Sequence, residues 1–187
     1  VPSHIRRSAR SGSPGTFTYP PSVTTMNDDR PSSPTPLRVL FLCTGNSARS
    51  QMAEALLARK AQNRFVVRSA GTEPARAVNP WAIAALSEYG IEWSGRPKHV
   101  DSVAGELWDI VITVCDRAKE SCPTMPGHPV FAHWGMPDPA DAGGDDENRR
   151  RVFRETLQYI SRRIDLLLAL PIESLERRVL ELRLNNL

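Results

Sequence analysis

Short apolar runs alternate with longer amphipathic segments from residue 38 to the end of the chain. The apolar runs lie at 38–43, 65–70, 109–115 and 129–134, and they are rich in branched residues. Runs of this length and composition predict buried strands of a parallel sheet. Strands that alternate with helices predict an α/β layered fold whose crossover connections are right-handed.

The segments between the strands have helical spacing. The predicted helices lie at 50–62 and 79–90, with a short one near 101–107. A long helix is predicted after the stretch GGDDEN at 143–148, because two glycines interrupt the chain and acidic residues favour the positive end of a helix. One face of this helix carries apolar residues at helical spacing, namely Phe153, Leu157, Ile160, Ile164 and Leu167.

Pro171 ends the long helix, and the segment 171–187 is predicted to form a C-terminal amphipathic helix. Its apolar residues form two stripes, with Ile172, Leu175, Val179 and Leu182 on one and Leu180, Leu184 and Leu187 on the other. The simpler interpretation is that this helix packs on its own domain. The alternative is a surface for another partner or for a second copy of the chain, which would make a homodimer.

The first 37 residues differ from the rest in composition. They hold seven of the 16 prolines and twelve serines and threonines, with few large apolar residues. Such a segment buries too little surface to offset the entropy of ordering it. We therefore predict a disordered N-terminal extension at 1–37, followed by one globular domain at 38–170.

Charge and composition narrow the choice of partners and of compartment. The formal charge is +3, and the segment 1–37, with four arginines and two aspartates, accounts for +2 of it. The nearly neutral remainder argues against nucleic acid but leaves small anions, which need only local charge. The run LLLALPI is too short to span a bilayer, so no membrane partner is expected. Three cysteines in a chain without an apolar leader segment indicate the reducing cytoplasm.

The stretch FLCTGNSARSQ at 41–51 carries the clearest chemistry. A strand that turns sharply into a helix leaves backbone N–H groups unpaired at the turn, and together with the helix dipole they form an anion site. Gly45 and Asn46 suit the backbone of such a turn, and Arg49 offers a planar fork for two oxygens of an oxyanion. Cys43 would lie at the centre, where the same dipoles are expected to lower the pKa of its thiol. A merely buried cysteine is the alternative for Cys43, but it leaves the rest of the loop unexplained.

The octet CTGNSARS at 43–50 resembles the phosphate-binding loop of the low-molecular-weight protein tyrosine phosphatase fold. From about Arg38 to Leu170 the chain resembles the thioredoxin-coupled arsenate reductases of that fold. The resemblance includes SAGTEP at 69–74, DIVITVCDRAKESCP at 109–123 and HWGMPDPA at 133–140. It implies a three-layer α/β sandwich with a central four-stranded parallel sheet in the strand order 2-1-3-4.

The same resemblance implies roles for the residues of the loop. Cys43 would be the nucleophile, Arg49 the clamp on the oxyanion, and Ser50 a hydroxyl that stabilises the thiolate. Asp138 would be the general acid that protonates the leaving oxygen. The substrate would be arsenate, with phosphate and sulfate as competing anions. The segment that binds it would consist of Thr44, Gly45, Asn46, Ser47, Ala48 and Arg49.

Two further cysteines extend this chemistry. The resemblance implies that Cys115 attacks the Cys43–arsenate adduct, and that Cys122 then attacks the resulting Cys43–Cys115 disulfide. The final Cys115–Cys122 disulfide would pass to thioredoxin as electron donor, with no bound cofactor or metal. A regular helix would separate the two α-carbons by about 10 Å, whereas a disulfide tolerates at most about 7 Å, so the segment 115–123 is expected to unwind on oxidation.

Other interpretations of these residues stay open. One alternative is a zinc site, although the cysteine spacing is longer than in usual zinc sites. Its ligands would be Cys115, Cys122, His128 and His133. The loop also suits a phosphatase acting on phosphotyrosine or on a small molecule. A low-molecular-weight thiol such as mycothiol or glutathione would be an alternative to thioredoxin, and a non-catalytic oxyanion-binding module is the last alternative.

The chain departs from the family pattern at two places near the loop. Ala48 stands where the family often carries a further cysteine. Some members hold a potassium ion beside the loop, and Asn46, Glu54 and Ser69 match three of its ligand positions, whereas Lys98 stands at the fourth. We expect the Lys98 ammonium to pair with Glu54 and to make the protein independent of potassium.

Overall fold

The computed structural model describes residues 35–120 and 122–187. The strands are β1 (Leu37–Cys43), β2 (Phe65–Gly71), β3 (Ile110–Thr113) and β4 (Val130–His133). The helices are α1 (Arg49–Lys60), α2 (Pro80–Glu88), α3 (Asp101–Ala104), α4 (Asp116–Glu120), α5 (Asp146–Ala169) and α6 (Arg177–Asn185). Short 3-10 turns lie at Pro139–Asp141 and Ile172–Ser174.

The predicted disorder at 1–37 falls almost wholly on residues outside the described ranges. Residues 35–37 are the exception, and Leu37 already pairs with Phe65 as the first residue of β1. The ordered strand therefore begins one residue earlier than predicted.

The four strands form one parallel sheet in the order β2-β1-β3-β4, which confirms the predicted strand order. The register runs from Leu37 opposite Phe65 to Cys43 opposite Gly71, while Leu42 lies opposite Thr113 of β3. The chain order reverses between β1 and β3, and this is the point where ligands bind in open α/β sheets. Cys43 therefore ends its strand at the edge where a ligand site is expected.

Alternate residues of β1 enter two separate apolar cores, as the period of a strand requires. Val39 and Phe41 belong to a core shared with α1, α2, α5 and α6, and Leu40 and Leu42 belong to a second core that includes Val103 of α3. Helices thus cover both faces of the sheet, which confirms the three-layer architecture.

The third strand is shorter than its apolar run suggested. It ends at Thr113 rather than at Cys115, and the Cys115 carbonyl accepts a hydrogen bond from the Lys119 N–H at 3.2 Å. The chain leaves the sheet because Cys115 already begins the turn into α4. Cys115 is therefore on a strand-to-helix turn, as Cys43 is.

The C-terminal helix α6 packs against the edge strand β4. Leu180 and Leu184 are buried, whereas Val179 and Leu182 are exposed, so the second predicted stripe faces the core. The Asn185 side chain accepts from the His133 N–H at 2.9 Å and donates to the Phe131 carbonyl at 3.3 Å. Because these groups lie along the edge of the sheet, α6 caps an edge that would otherwise offer free hydrogen-bonding groups.

This contact supports the simpler interpretation, in which α6 packs on its own domain. The helix is shorter than the predicted segment 171–187, since it begins only at Arg177. A homodimer through this helix remains a prediction. Within the described ranges, the structure contains no helix with both the length and the apolarity that crossing a membrane requires.

Candidate active site

The backbone of the loop between β1 and α1 is oriented by the segment that follows β2. The N–H groups of Thr72, Glu73, Ala75 and Asn79 donate to the carbonyls of Cys43, Thr44, Gly45 and Ser47 at 2.8–3.3 Å. A planar peptide points its carbonyl and the next N–H in opposite directions. Carbonyls bound on the outside therefore turn the loop N–H groups inward, as an oxyanion site requires.

Gly71 makes this contact between loop and sheet feasible. A β-carbon at this residue would lie 2.4 Å from the Thr44 carbonyl oxygen and 2.9 Å from the Asn46 nitrogen. Any side chain would push the loop away from the end of β2. The glycine of the SAGTEP stretch therefore has a direct role in seating the loop.

The Cys43 sulfur receives two polar contacts inside the loop. The Asn46 N–H donates to it at 3.0 Å, and the Ser50 hydroxyl lies 2.8 Å from it. Asn46 adopts a left-handed conformation with a φ of 45°, which asparagine tolerates better than most residues. These contacts agree with the predicted roles of Ser50 and of the loop backbone beside the thiol.

The predicted lowering of the Cys43 pKa is wrong for this structure. Burial raises the pKa of the Cys43 thiol, and the hydrogen bonds from Ser50 and Asn46 oppose that effect only in part. The thiolate is the charged form, and it loses solvation when the loop is closed over it. Donors near a sulfur therefore do not guarantee a thiolate at neutral pH.

Arg49 and Asp138 meet directly beside the loop. The Arg49 Nη2 lies 2.5 Å from the Asp138 Oδ2, and Nη1 donates to the Met136 carbonyl at 2.9 Å. The other Asp138 oxygen accepts from the Ala140 N–H at 3.1 Å, at the start of the turn Pro139–Asp141. The guanidinium thus holds the loop that carries the predicted general acid against the loop that carries the predicted nucleophile.

Several of the predicted site residues line one open cavity of about 630 Å³. Its lining includes Thr44, Gly45, Arg49, Cys115 and Asp138. Asp116, Arg117, Glu120 and Asp141 also line it. The described wall is rich in carboxylates, so the features that suit an anion are the inward N–H groups and Arg49.

The structure places Cys122 outside this cavity and Cys115 in its wall. The Cys115 sulfur lies 3.4 Å from the Thr44 hydroxyl, and Cys115 packs in the same apolar core as Cys43. Cys122 instead packs against the other core and lines a different cavity of about 510 Å³, next to Phe131 and His133. All three cysteines are free thiols. Two of the predicted relay residues are therefore brought together, and the third is not.

The four residues that match the potassium-ligand positions of some family members, Asn46, Glu54, Ser69 and Lys98, form a connected hydrogen-bond network. The Asn46 side-chain amide donates to Ser50 and to Ser69, and the Ser69 hydroxyl donates to Glu54 at 2.5 Å. The Lys98 ammonium lies 3.4 Å from the same Glu54 carboxylate oxygen. The predicted pairing of Lys98 with Glu54 is confirmed.

A zinc site finds no support in the geometry. Among the residues that the structure describes, no three histidine, cysteine or acidic side chains converge as metal ligands would. His133 is engaged otherwise, with one ring nitrogen 2.9 Å from Asp116 and the other 2.8 Å from the Thr113 hydroxyl.

Two buried or partly buried residues beside the loop are missed by a motif-based reading. Gln51 is fully buried, and its side chain bonds to Asn46, to the Arg96 carbonyl and to the Trp93 indole. A glutamine directly after the octet, in a helix predicted to face the core, is the only local signal in the sequence. Trp93 lies in an irregular segment, and nothing in its neighbourhood along the chain relates it to the loop.

Comparisons with known proteins agree with this site. A family model described as low molecular weight phosphotyrosine protein phosphatase matches residues 38–180. The arsenate reductase of Halalkalibacterium halodurans is 43% identical over 129 residues, which cover 67% of this chain and 91% of that protein. A solved structure of an arsenate reductase in the oxidized state matches with a TM-score of 0.61 and 29% identity, over 71% of this chain and 96% of its own.

A third comparison concerns the source of electrons. The structure of the thioredoxin-dependent arsenate reductase of Corynebacterium glutamicum matches with a TM-score of 0.53 and 33% identity, over 72% of this chain and 62% of its own. The range matched by the family model contains every site residue described above. The chain therefore belongs to the low molecular weight phosphotyrosine protein phosphatase family, and the similar proteins named here are arsenate reductases of that fold.

Proposed function

We propose that this protein reduces arsenate to arsenite through Cys43, Cys115 and Cys122, with thioredoxin as the electron donor. The similarity to arsenate reductases supports the substrate, and the thioredoxin-dependent relative supports the donor. A cycle of free thiols needs a reducing compartment, so we expect the protein in the cytoplasm.

In the first step, the Cys43 sulfur attacks the arsenic of an arsenate held by the loop N–H groups and by Arg49. As the sulfur–arsenic bond forms, the Cys43 thiol gives up its proton, and the bond between arsenic and one hydroxyl oxygen of the arsenate breaks. Asp138 stands beside Arg49, where it can pass that proton to the leaving hydroxyl group, which departs as water. The product is a covalent Cys43–arsenate adduct, and arsenic is still pentavalent.

In the second step, the Cys115 sulfur attacks the Cys43 sulfur. The sulfur–arsenic bond breaks, and its electron pair stays on arsenic, which leaves as trivalent arsenite and takes up the thiol proton. A Cys43–Cys115 disulfide remains. Cys115 lies beside the loop, with its sulfur 3.4 Å from the Thr44 hydroxyl, which supports its role as the thiol that attacks Cys43.

In the third step, Cys122 attacks Cys115, which releases the Cys43 thiol and forms a Cys115–Cys122 disulfide. Thioredoxin then reduces this disulfide and becomes oxidised itself. The cycle consumes two electrons for each arsenate.

One observation carries the proposal over a phosphatase activity: a second buried thiol, Cys115, lines the same cavity as Arg49 and Asp138. Hydrolysis of a phosphate ester uses one cysteine, an arginine and an acid, and gives no role to a second thiol at this place. Reduction that ends in a disulfide within the protein requires such a thiol.

The test is turnover of arsenate with thioredoxin, thioredoxin reductase and NADPH, comparing the wild type with Cys122→Ser and Cys115→Ser. The wild type should turn over repeatedly. Cys122→Ser should release about one arsenite per enzyme and stop at the Cys43–Cys115 disulfide, whereas Cys115→Ser should stop at the adduct.

Two outcomes would contradict the proposal. Repeated turnover of Cys122→Ser with glutathione or mycothiol would show that a small thiol is the donor. If the wild type produces no arsenite but hydrolyses p-nitrophenyl phosphate in a reaction that depends on Cys43, the protein is a phosphatase.

A further inference from the structure

Asn46 connects the loop to several neighbouring segments through its backbone and its side chain. Its N–H donates to the Cys43 sulfur only because its backbone takes a left-handed conformation, with a φ of 45°. A residue other than glycine adopts that conformation at some cost, so contacts of its side chain must hold it there. Its side-chain oxygen accepts from the Lys98 N–H at 2.8 Å and from the Gln51 amide at 3.1 Å.

The Gln51 amide can hold Asn46 in only one of its two orientations. Its nitrogen donates both to the Asn46 side-chain oxygen and to the Arg96 carbonyl, at 3.1 Å and 3.0 Å. A rotation of the amide by half a turn would place an oxygen against these two acceptors. The correct orientation must therefore be set by a contact at the other end of the amide.

Trp93 supplies that contact. Its indole N–H donates to the Gln51 side-chain oxygen at 2.8 Å. An indole nitrogen is a donor only, so it binds the amide oxygen and rejects the amide nitrogen. The indole thereby directs the Gln51 nitrogen toward Asn46.

Gly95 allows this contact to form. A β-carbon there would lie 2.5 Å from the Gln51 oxygen and equally close to the Trp93 indole nitrogen. The backbone of this segment crosses directly over the hydrogen bond between the two side chains, and only a glycine leaves room for it. Gln51 and two residues of one later segment, Trp93 and Gly95, thus converge on one bond.

We propose that Trp93 and Gln51 are positioning residues for Cys43: the indole orients the Gln51 amide, Gln51 holds Asn46, and Asn46 holds the sulfur. The proposal rests on the proposed role of Cys43 as the nucleophile. A purely structural role is the competing explanation, because the Trp93 ring also packs against the larger apolar core.

The variant that separates the two explanations is Trp93→Phe, which keeps an aromatic ring and removes the N–H donor. The measurement is the pH dependence of iodoacetamide labelling at Cys43, read by mass spectrometry from the peptide that carries it. The matched control is Trp81→Phe, since Trp81 packs against the same core from the start of α2. The titratable and charged groups around the loop stay unchanged in both variants; these are Arg49, Glu54, Lys98, Cys115, Asp116, Arg117, Glu120, Asp138 and Asp141.

Trp93→Phe should label Cys43 about fivefold more slowly at neutral pH, the effect of one weakened hydrogen bond, and the inflection of the profile should move to higher pH. The kcat for arsenate should fall by a similar factor, with a smaller change in KM. Trp81→Phe should keep the wild-type profile. Gly95→Ala forces the same two side chains apart by another route, and it should shift the profile in the same direction.

Wild-type labelling profiles in both Trp93→Phe and Gly95→Ala would overturn the proposal, whatever their stability. The labelling reaction does not involve arsenate, so it also separates this proposal from the proposed function. A shifted profile in a protein that reduces no arsenate would leave the positioning role standing and remove the function. Arsenate reduction with unshifted profiles would do the reverse.

Discussion

The loop at 43–50 and the segment at 115–128 hold the three thiols, and the fold treats them in opposite ways. In the loop, neighbouring segments hydrogen-bond the backbone from outside, and buried side chains hydrogen-bond Asn46 and Ser50 from inside. After Cys115 comes the short helix α4 (Asp116–Glu120), and the described chain from Cys122 onward is irregular except for a turn at 126–127; Gly127 and His128 both have positive φ. Among the described residues, the polar contact of the Cys122 sulfur is a long one of 3.6 Å to the carbonyl of the next residue.

This difference corresponds to the steps proposed for each region. Attack on an oxyanion requires donors fixed in advance, because a donor that must reorganise contributes less to stabilising the transition state. Passing a disulfide outward requires a thiol that moves, and Cys122 must leave one apolar core to meet Cys115 in the other. A rigid loop and a weakly held relay segment are therefore both needed within the same small domain.

The sharpest test of this contrast is hydrogen exchange before and after a single turnover without reductant. Oxidation to the Cys115–Cys122 disulfide should speed exchange of the α4 amides about 10- to 100-fold, because the helix must open to bring the two sulfurs together. Exchange in the loop at 43–50 should change little.

Cys122→Ser is the matched control, since it can form only the Cys43–Cys115 disulfide. Its α4 amides should keep the protection of the reduced protein. Unchanged protection of α4 in the wild type, with the Cys115–Cys122 disulfide verified by mass spectrometry, would show that the segment is not a mobile relay.

The sequence predicts the loop well because its determinants are contiguous. The strand, the octet and the helix follow one another within residues 37–60, and local rules for turns and helix ends apply directly. The four strands and their order are also recovered, since buried parallel strands read as apolar runs. The site residues Arg49 and Asp138 meet across 89 residues; only the family resemblance assigned both to one site, and their direct contact was not predicted.

What the sequence could not supply depends on how distant segments pack. The sequence predicted a lowered pKa for Cys43, whereas burial raises it. A motif shows the donors around the sulfur but not how completely the fold removes water from it. The contact between Trp93 and Gln51 spans 42 residues and requires the close approach at Gly95. The place of Cys122 against the second core follows from the path of the chain after α4, which no periodicity encodes.

The effect of the loop's hydrogen bonds on the Cys43 thiol can be measured with Ser50→Ala. The hydroxyl at 2.8 Å lowers the pKa of Cys43 against the larger effect of burial, so its loss should raise that pKa further. Since the thiolate forms only as the pH rises through the pKa, labelling of Cys43 by iodoacetamide should fall about tenfold at neutral pH and recover at higher pH. Ser87→Ala, on the surface of α2, is the control and should label as the wild type does. A profile for Ser50→Ala that coincides with the control would mean that the hydroxyl does not act on the sulfur.

The smallest expected effect concerns the support of the loop by Lys98. Its ammonium lies 3.4 Å from the Glu54 carboxylate, which in turn accepts from Ser69, so a fixed positive charge already stands where a cation would otherwise be held. Arsenate turnover in potassium chloride and in sodium chloride of equal ionic strength should therefore differ by less than about twofold, as expected when no ion has to be bound.

Lys98→Met leaves the largely buried Glu54 without its positively charged partner, and we expect this variant to lose activity and to regain part of it with potassium but not with sodium. Lys60→Met, at the far end of α1, should respond to neither ion. Marked activation of the wild type by potassium would show that the Lys98 ammonium does not substitute for a bound cation. The loop would then need an ion in addition to its own side chains, and its contrast with the segment at 115–128 would be smaller.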